Sequence, residues 1–97
     1  MTNKLFTQPD VTRLLDSFLA LKNKTEAAAY LRDLLTEEEI LEFSRRLQAA
    51  SLLKQGVPYT TITQETGLSS TTIARISKWL NGDLGGYNLV LDRLTHS

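Results

Sequence analysis

The 97-residue chain has no cysteine, only two prolines and one histidine, and its eleven basic and eleven acidic residues cancel. The lack of cysteine excludes disulfides, a thiol nucleophile and thiolate metal sites. The zero net charge excludes a protein that holds nucleic acid through overall positive charge alone. No apolar run approaches the ~20 residues of a membrane span, and the N-terminus does not resemble a signal peptide. We therefore expect a cytoplasmic protein with no membrane association.

Residues that carry catalytic or metal-binding chemistry are few. The single histidine, His96, lies in a tail that we expect to fray. The densest group of carboxylates comprises Glu37, Glu38, Glu39 and Glu42. Capping of a helix N-terminus explains this group better than catalysis does. Asp33, Glu37 and Glu38 alternate faces and do not converge, so we expect no metal site. With the other carboxylates explained by capping, we also expect no enzymatic activity and no cofactor.

The spacing of apolar residues predicts an all-α fold. A first helix is predicted over about residues 8 to 22, with Pro9 at its first position. Thr25 is expected to cap a short second helix. Thr36 and Glu39 have the spacing of a capping box, which predicts a long third helix from residue 37. No run with the period of a β-strand is present.

From Pro58 onward the chain changes from a leucine-rich helix to short segments rich in hydroxyl residues. Gly67 can supply the left-handed backbone of a tight turn, Leu68 can fill the angle between two helices, and Ser69 can cap the second helix. This pattern predicts a helix-turn-helix over residues 58–81.

A recognition helix reads base edges with the outward residues of its N-terminal half. Arginine can bond guanine bidentately, hydroxyls can bond bases or phosphates, and a lysine adds a contact to the DNA backbone. Residues 70–80 contain two cations and no acid, so the positive charge is concentrated there. The predicted DNA-binding residues are Thr60, Thr61, Gln64, Ser69, Ser70, Thr71, Thr72, Arg75 and Lys78.

Two simpler interpretations remain open. The hydroxyl residues could merely cap a helix and cover a solvated face. The whole chain could instead be a helical protein-interaction or adaptor module that no longer reads DNA, which the zero net charge favours. One residue departs from the usual pattern: Thr63 stands where such units commonly place alanine, and its hydroxyl needs a local acceptor.

Three groups of residues together resemble the Trp repressor family, and most closely its YerC/YecD-type branch, over residues 10–95. They are Leu35-Thr36-Glu37-Glu38 at the start of the long helix, Thr66-Gly67 with Thr72-Ile73-Ala74-Arg75 in the helix-turn-helix, and the stretch from Gly82 to Leu94. The resemblance implies a Trp repressor-like helical bundle that forms an intertwined homodimer, with recognition helices in successive major grooves ~34 to 36 Å apart. One domain, 1–97, is expected: a helical dimerisation core (1–57), the helix-turn-helix (58–81), and a C-terminal connection and helix (82–97).

Dimerisation also has a basis in composition. A chain this short buries only ~60 to 65 % of its surface as a monomer. The first and third helices carry wide apolar faces, which either meet a second copy or close into a monomeric bundle. A neutral chain has little basic surface for DNA, and a dimer doubles the contacts.

The same resemblance implies where a corepressor would bind. The family places tryptophan between two arginines, at the positions of Arg46 and Arg75. Its tryptophan binders have glycine and serine where this chain has Ile76 and Trp79. Those large side chains, three residues apart, would fill the ligand space, and the Trp79 indole could stack on either arginine. We therefore expect no small-molecule corepressor.

Arg45 and Arg46 leave three alternatives open. They could be solvated, paired with Glu42, or directed at a ligand. With that question open, the sequence predicts a homodimeric regulator, most simply a repressor, that binds a pseudo-palindromic operator in duplex DNA.

Overall fold

The computed structural model describes residues 4–95, so His96 lies outside the described residues. Within that range all regular structure is helical, which confirms the all-α prediction. A 3-10 helix at Lys4–Thr7 is followed by α1 (Pro9–Leu19), α2 (Lys24–Leu34), α3 (Glu37–Lys54), α4 (Tyr59–Thr66), α5 (Ser70–Leu80) and α6 (Gly86–Thr95). No helix in residues 4–95 combines the length and apolar character needed to cross a membrane.

The first α-helix starts where the sequence predicts and ends earlier. Pro9 occupies its first turn, as expected. Beyond Leu19 the backbone tightens: the N–H groups of Ala20 and Leu21 bond to carbonyls only three residues back, each at 3.3 Å. The predicted end at residue 22 is therefore wrong, because the last turn is of the 3-10 type.

The second helix is capped by a different residue from the one predicted. Asn23 Oδ1 accepts a hydrogen bond from the Glu26 backbone N–H at 2.9 Å, and the helix begins at Lys24. The Glu26 carboxylate accepts in return from the Lys22 N–H at 2.9 Å. Thr25 lies inside the first turn. Asparagine is a stronger N-cap than threonine, which explains why the earlier position is used.

The third helix confirms the capping box. The Glu39 N–H donates to Thr36 Oγ1 at 3.1 Å, and the Thr36 N–H donates to Glu39 Oε1 at 2.9 Å. The helix runs for 18 residues to Lys54. Gly56 follows with a φ of 80°, the left-handed conformation that commonly terminates helices.

The chain divides into two compact units, one up to Ile40 and one from Leu41 onward. In the first unit, Tyr30 joins α2 to α1 through a hydroxyl hydrogen bond with Ser17 and an edge-on contact with Phe18 at 5.9 Å. None of residues 4–40 is buried. Large apolar side chains of α1 are accessible to solvent, namely Leu14, Leu15, Phe18 and Leu19. The first unit therefore has no buried core of its own.

The second unit contains a hydrophobic core to which four helices contribute. Its buried members are Ala49 and Ala50 of α3, Ile62 of α4, Leu68 of the turn after α4, Ile73 and Ile76 of α5, and Leu91 of α6. The side chains of Ile62, Ile73 and Ile76 are completely inaccessible to solvent. This core supports α5 from three other helices, which gives that helix a defined inner face.

Candidate nucleic-acid interface

Two short helices, α4 and α5, are joined by a turn of three residues, 67–69. Gly67 has a φ of 76°, in the left-handed region, and its N–H bonds to the Thr63 carbonyl at 2.9 Å. Ser69 caps α5, with its Oγ accepting from the Thr72 N–H at 3.2 Å. Both helix ends therefore lie where the sequence predicts them.

Thr66 has a structural role that the sequence analysis missed. It is the only buried polar residue among those described, at 5 % exposure. Its hydroxyl donates to the Ile62 carbonyl at 2.7 Å and accepts from the Leu68 N–H at 3.2 Å. One side chain thus ties the end of α4 to the turn beyond Gly67. The available signal was a hydroxyl residue directly before a helix-ending glycine.

The α5 helix separates apolar from polar residues. Ile73, Ile76 and Leu80 are buried, whereas Arg75 and Lys78 are exposed. Residues three apart on a helix are neighbours on its surface, so these two cations lie side by side. Within residues 4–95 neither cation forms an ion pair. The outer face of α5 therefore presents two uncompensated positive charges.

The nine predicted DNA-contact residues are all accessible, to different degrees. Seven are exposed: Thr60, Gln64, Ser69, Ser70, Thr71, Arg75 and Lys78. Thr61 and Thr72 are partly buried. The Ser69 hydroxyl is used in capping α5: it accepts a hydrogen bond from the Thr72 N–H and donates its proton to Thr72 Oγ1 at 3.1 Å. Of this pair, the Thr72 hydroxyl keeps a proton to donate.

Thr63 does not behave as the sequence indicated. It is partly exposed, and no protein group among residues 4–95 accepts a hydrogen bond from its hydroxyl. The expected local acceptor is therefore wrong, because a solvent-accessible hydroxyl can bond to water instead.

Of the alternatives left open for Arg46, its contacts show the pairing with Glu42. Its Nε donates to Glu42 Oε2 at 3.3 Å, and its guanidinium lies 5.9 Å from the centre of the Phe43 ring. Arg46 thus pairs with Glu42, whereas Arg45 is exposed to solvent. The suggested stacking of Trp79 on an arginine is not observed among the described residues.

The two large residues expected to fill a ligand space have different environments. Ile76 is completely buried in the core, whereas Trp79 is 51 % exposed. Tyr87, at the start of α6, packs against the same core. Burial raises the pKa of its phenol above the usual value, although the positive charge of Arg46 acts in the opposite direction.

No group of three or more His, Cys, Asp or Glu side chains within residues 4–95 is arranged to hold a metal ion. The outer face of α5 carries hydrogen-bond donors and positive charge. These are the features of a surface that binds an anionic polymer such as nucleic acid.

The sequence matches the Trp repressor protein family over residues 10–95. The chain belongs to the Trp repressor family. The uncharacterised protein YerC of Bacillus subtilis is 36 % identical over 85 residues, which cover 88 % of this chain and 82 % of YerC. The resemblance to a YerC-type, Trp repressor-like protein is thereby confirmed. This is a family of regulators and not of enzymes.

Two solved structures share the fold closely. A TrpR-like protein from Eubacterium eligens is 35 % identical with a TM-score of 0.88, and the match covers 96 % of each chain. A candidate Trp repressor from Staphylococcus aureus is 37 % identical with a TM-score of 0.88, covering 98 % of this chain and 95 % of that one. The Trp repressor-like fold follows from both comparisons.

Proposed function

We propose that this Trp repressor family protein is a cytoplasmic regulator, most simply a repressor, that binds a specific sequence in duplex DNA through a helix-turn-helix. The observation that carries the proposal is the division of α5: three buried residues hold the helix on the core, and Arg75 and Lys78 stand unpaired on its outer face. In this role α4 and α5 form the helix-turn-helix, and α5 is the recognition helix.

The proposed contacts differ in what they contribute. Arg75 lies near the middle of α5, where a guanidinium can bond bidentately to guanine. Lys78, one turn later, contacts a phosphate and gives affinity without sequence preference. The exposed Ser70 and Thr71 at the start of α5 offer hydroxyls to bases or phosphates. Thr60, Thr61 and Gln64 of α4 contact the DNA backbone and set the orientation of the motif.

We infer that the functional form is a homodimer. The first unit buries none of residues 4–40 and exposes Leu14, Leu15 and Phe18 along one side of α1. A second copy that covers this apolar surface removes the cost of its exposure. Two copies also bring two recognition helices to one duplex, which predicts a pseudo-palindromic operator and doubles the number of positively charged contacts.

The proposed regulator works without a small-molecule corepressor. At the family's ligand position this chain has Ile76, whose side chain is already part of the core. Arg46, which would face the ligand, is engaged by Glu42 and lies over Phe43. Both observations favour a site that is occupied by the chain's own side chains.

An adaptor that binds only protein is the second candidate, and the zero net charge favours it. Binding to a labelled duplex over a series of salt concentrations separates the two functions. A DNA reader that neutralises Z phosphates loses affinity with a slope of about −0.9Z in log K against log salt. The double variant Arg75→Ala with Lys78→Ala should flatten that slope. The control, Arg13→Ala with Lys24→Ala, removes the same charge from α1 and α2 and should preserve it. Absence of salt-dependent binding by the wild type would favour the adaptor.

A further inference from the structure

An amide of α6 caps the C-terminal end of α5. The Nδ2 of Asn88 donates a hydrogen bond to the carbonyl oxygen of Leu80, the last residue of α5, at 2.9 Å. The last four carbonyls of a helix have no partner within the helix, so a donor must come from elsewhere. Here the donor lies eight residues further along the chain, on the next helix.

The helix that carries Asn88 is itself fixed on the second unit. Leu91 of α6 is buried in the core, and Tyr87 packs against it. On the outside, Lys54 Nζ of α3 forms an ion pair with Asp92 Oδ1 at 3.1 Å. Asn88 therefore bonds to the end of α5 from α6, a helix that is also linked to α3 by this ion pair.

A second asparagine near the same helix end provides a comparison. Asn81 Nδ2 donates to the Ser77 carbonyl at 2.9 Å, but Asn81 is exposed, directly follows α5, and has its partner only four residues back in that helix. That bond stabilises the last turn of α5 locally. It does not connect α5 to another element.

The two kinds of contact on α5 constrain it differently. Burial of Ile73 and Ile76 is favourable but non-directional, so it holds one face of α5 inward while constraining the position of the helix along its axis less closely than a hydrogen bond does. A hydrogen bond constrains distance and angle closely. The bond from Asn88 to Leu80 supplies that directional constraint at the end of the helix, two residues after Lys78.

We propose that Asn88 is a positioning residue for DNA recognition: by its hydrogen bond from α6 to the Leu80 carbonyl, it fixes the position of α5 and thereby the orientation of Arg75 and Lys78. The proposal rests on the proposed function of α5 as the DNA-reading helix. It predicts that loss of the bond weakens specific binding while general attraction to DNA persists, because phosphate attraction tolerates misalignment and base contacts do not.

The test uses the full chain with Asn88→Asp, which keeps the side-chain shape but replaces the amide donor by a carboxylate that cannot donate. The matched control is Asn81→Asp, which makes the same charge change at the same helix end. Asn88→Ala, which adds no charge, serves as the second variant if the first does not fold. All binding is measured well below the unfolding midpoint.

Two readouts are combined. Trp79 is the only tryptophan and lies next to Leu80, half exposed, so acrylamide quenching of its fluorescence reports on the end of α5. We expect faster quenching in Asn88→Asp than in Asn81→Asp. We also expect affinity for the preferred duplex to fall about two- to tenfold, the effect of one hydrogen bond, with affinity for random duplex nearly unchanged. A merely destabilising change would weaken both duplexes alike.

Each other outcome overturns a defined part of the account. Equal behaviour of the two asparagine variants, or an unchanged preference for the specific duplex, would refute the positioning role while leaving DNA binding intact. A wild type that binds no duplex would refute the proposed function, and with it the proposal that Asn88 orients Arg75 towards DNA. In that case the quenching comparison still decides whether Asn88 holds α5.

Discussion

The hydroxyl of Thr66 accepts a hydrogen bond from the backbone N–H of Leu68 at 3.2 Å, across the glycine between them. The same hydroxyl donates to the Ile62 carbonyl at 2.7 Å. The turn between α4 and α5 is thus held by one buried side chain as well as by the left-handed Gly67. Two neighbouring threonines of α4 allow this contribution to be measured.

Thr66→Val should reduce the free energy of unfolding by about 1 to 3 kcal/mol, because it leaves the buried Leu68 N–H without an acceptor. Thr63→Val is the control: it changes the same residue type on the same helix, where the hydroxyl has no protein partner, and should stay within about 0.5 kcal/mol. Chemical denaturation monitored by circular dichroism measures both. Equal losses in the two variants would show that the buried hydrogen bonds contribute nothing specific.

Arg75 and Lys78 are predicted to act differently on DNA. Arg75→Ala should weaken binding to the preferred duplex by about 1 to 3 kcal/mol and relax the preference at one base pair. Lys78→Ala should weaken binding to all duplexes alike and reduce the salt slope by about 1. Competition binding with cognate and random duplexes measures both effects. If each variant lost the same affinity on both duplexes, Arg75 would not be a base reader.

The exposed apolar side of α1 predicts a result that distinguishes dimer from monomer. Leu15 is 43 % exposed in the single chain, so Leu15→Glu in a monomer would be a surface change worth about 0.5 kcal/mol or less. In a homodimer that covers α1 it buries an unpaired charge and should drive dissociation. Arg13→Glu, an exposed polar position on the same helix, is the control. Sedimentation equilibrium should show a wild-type dimer, a dimeric control and a dissociated Leu15→Glu; a monomeric wild type would contradict the prediction.

Free L-tryptophan should not bind, because Ile76 is already packed into the core where the family's ligand would lie. Calorimetric titration should give no saturable heat at submillimolar tryptophan, and DNA affinity should be the same with and without it. Saturable heat, or affinity that rises with tryptophan, would restore a corepressor role for Arg46 and Arg75.

Local interactions explain what the sequence could predict of the fold. The capping box of Thr36 and Glu39, the turn at Gly67 and the cap at Ser69 each depend on residues within about one helical turn, so spacing alone identifies them. Thr25 was the wrong cap because the competing Asn23 stands two residues earlier, and spacing alone does not rank two candidates so close together.

The contacts that were not predicted depend on the fold in three dimensions. The bond from Asn88 to Leu80 forms only when α6 folds back on α5, which no local pattern encodes. Ile76 and Trp79, three residues apart, differ by about 60° around the helix axis, so one is buried and the other lies near the edge of the buried face. Sequence spacing placed them on the same side, and only the core determined how deeply each is buried.

The most direct test of the central claim is selection of bound sites from a pool of random duplexes by the wild-type protein. A homodimer with two α5 helices in successive major grooves should select a pseudo-palindrome with half-site centres about 10 to 10.5 base pairs apart. Selection by Arg75→Ala in parallel should return the same site with one symmetric position relaxed in each half. Recovery of no common sequence, or of a single half-site without a symmetric partner, would contradict the account of a dimeric, sequence-specific reader.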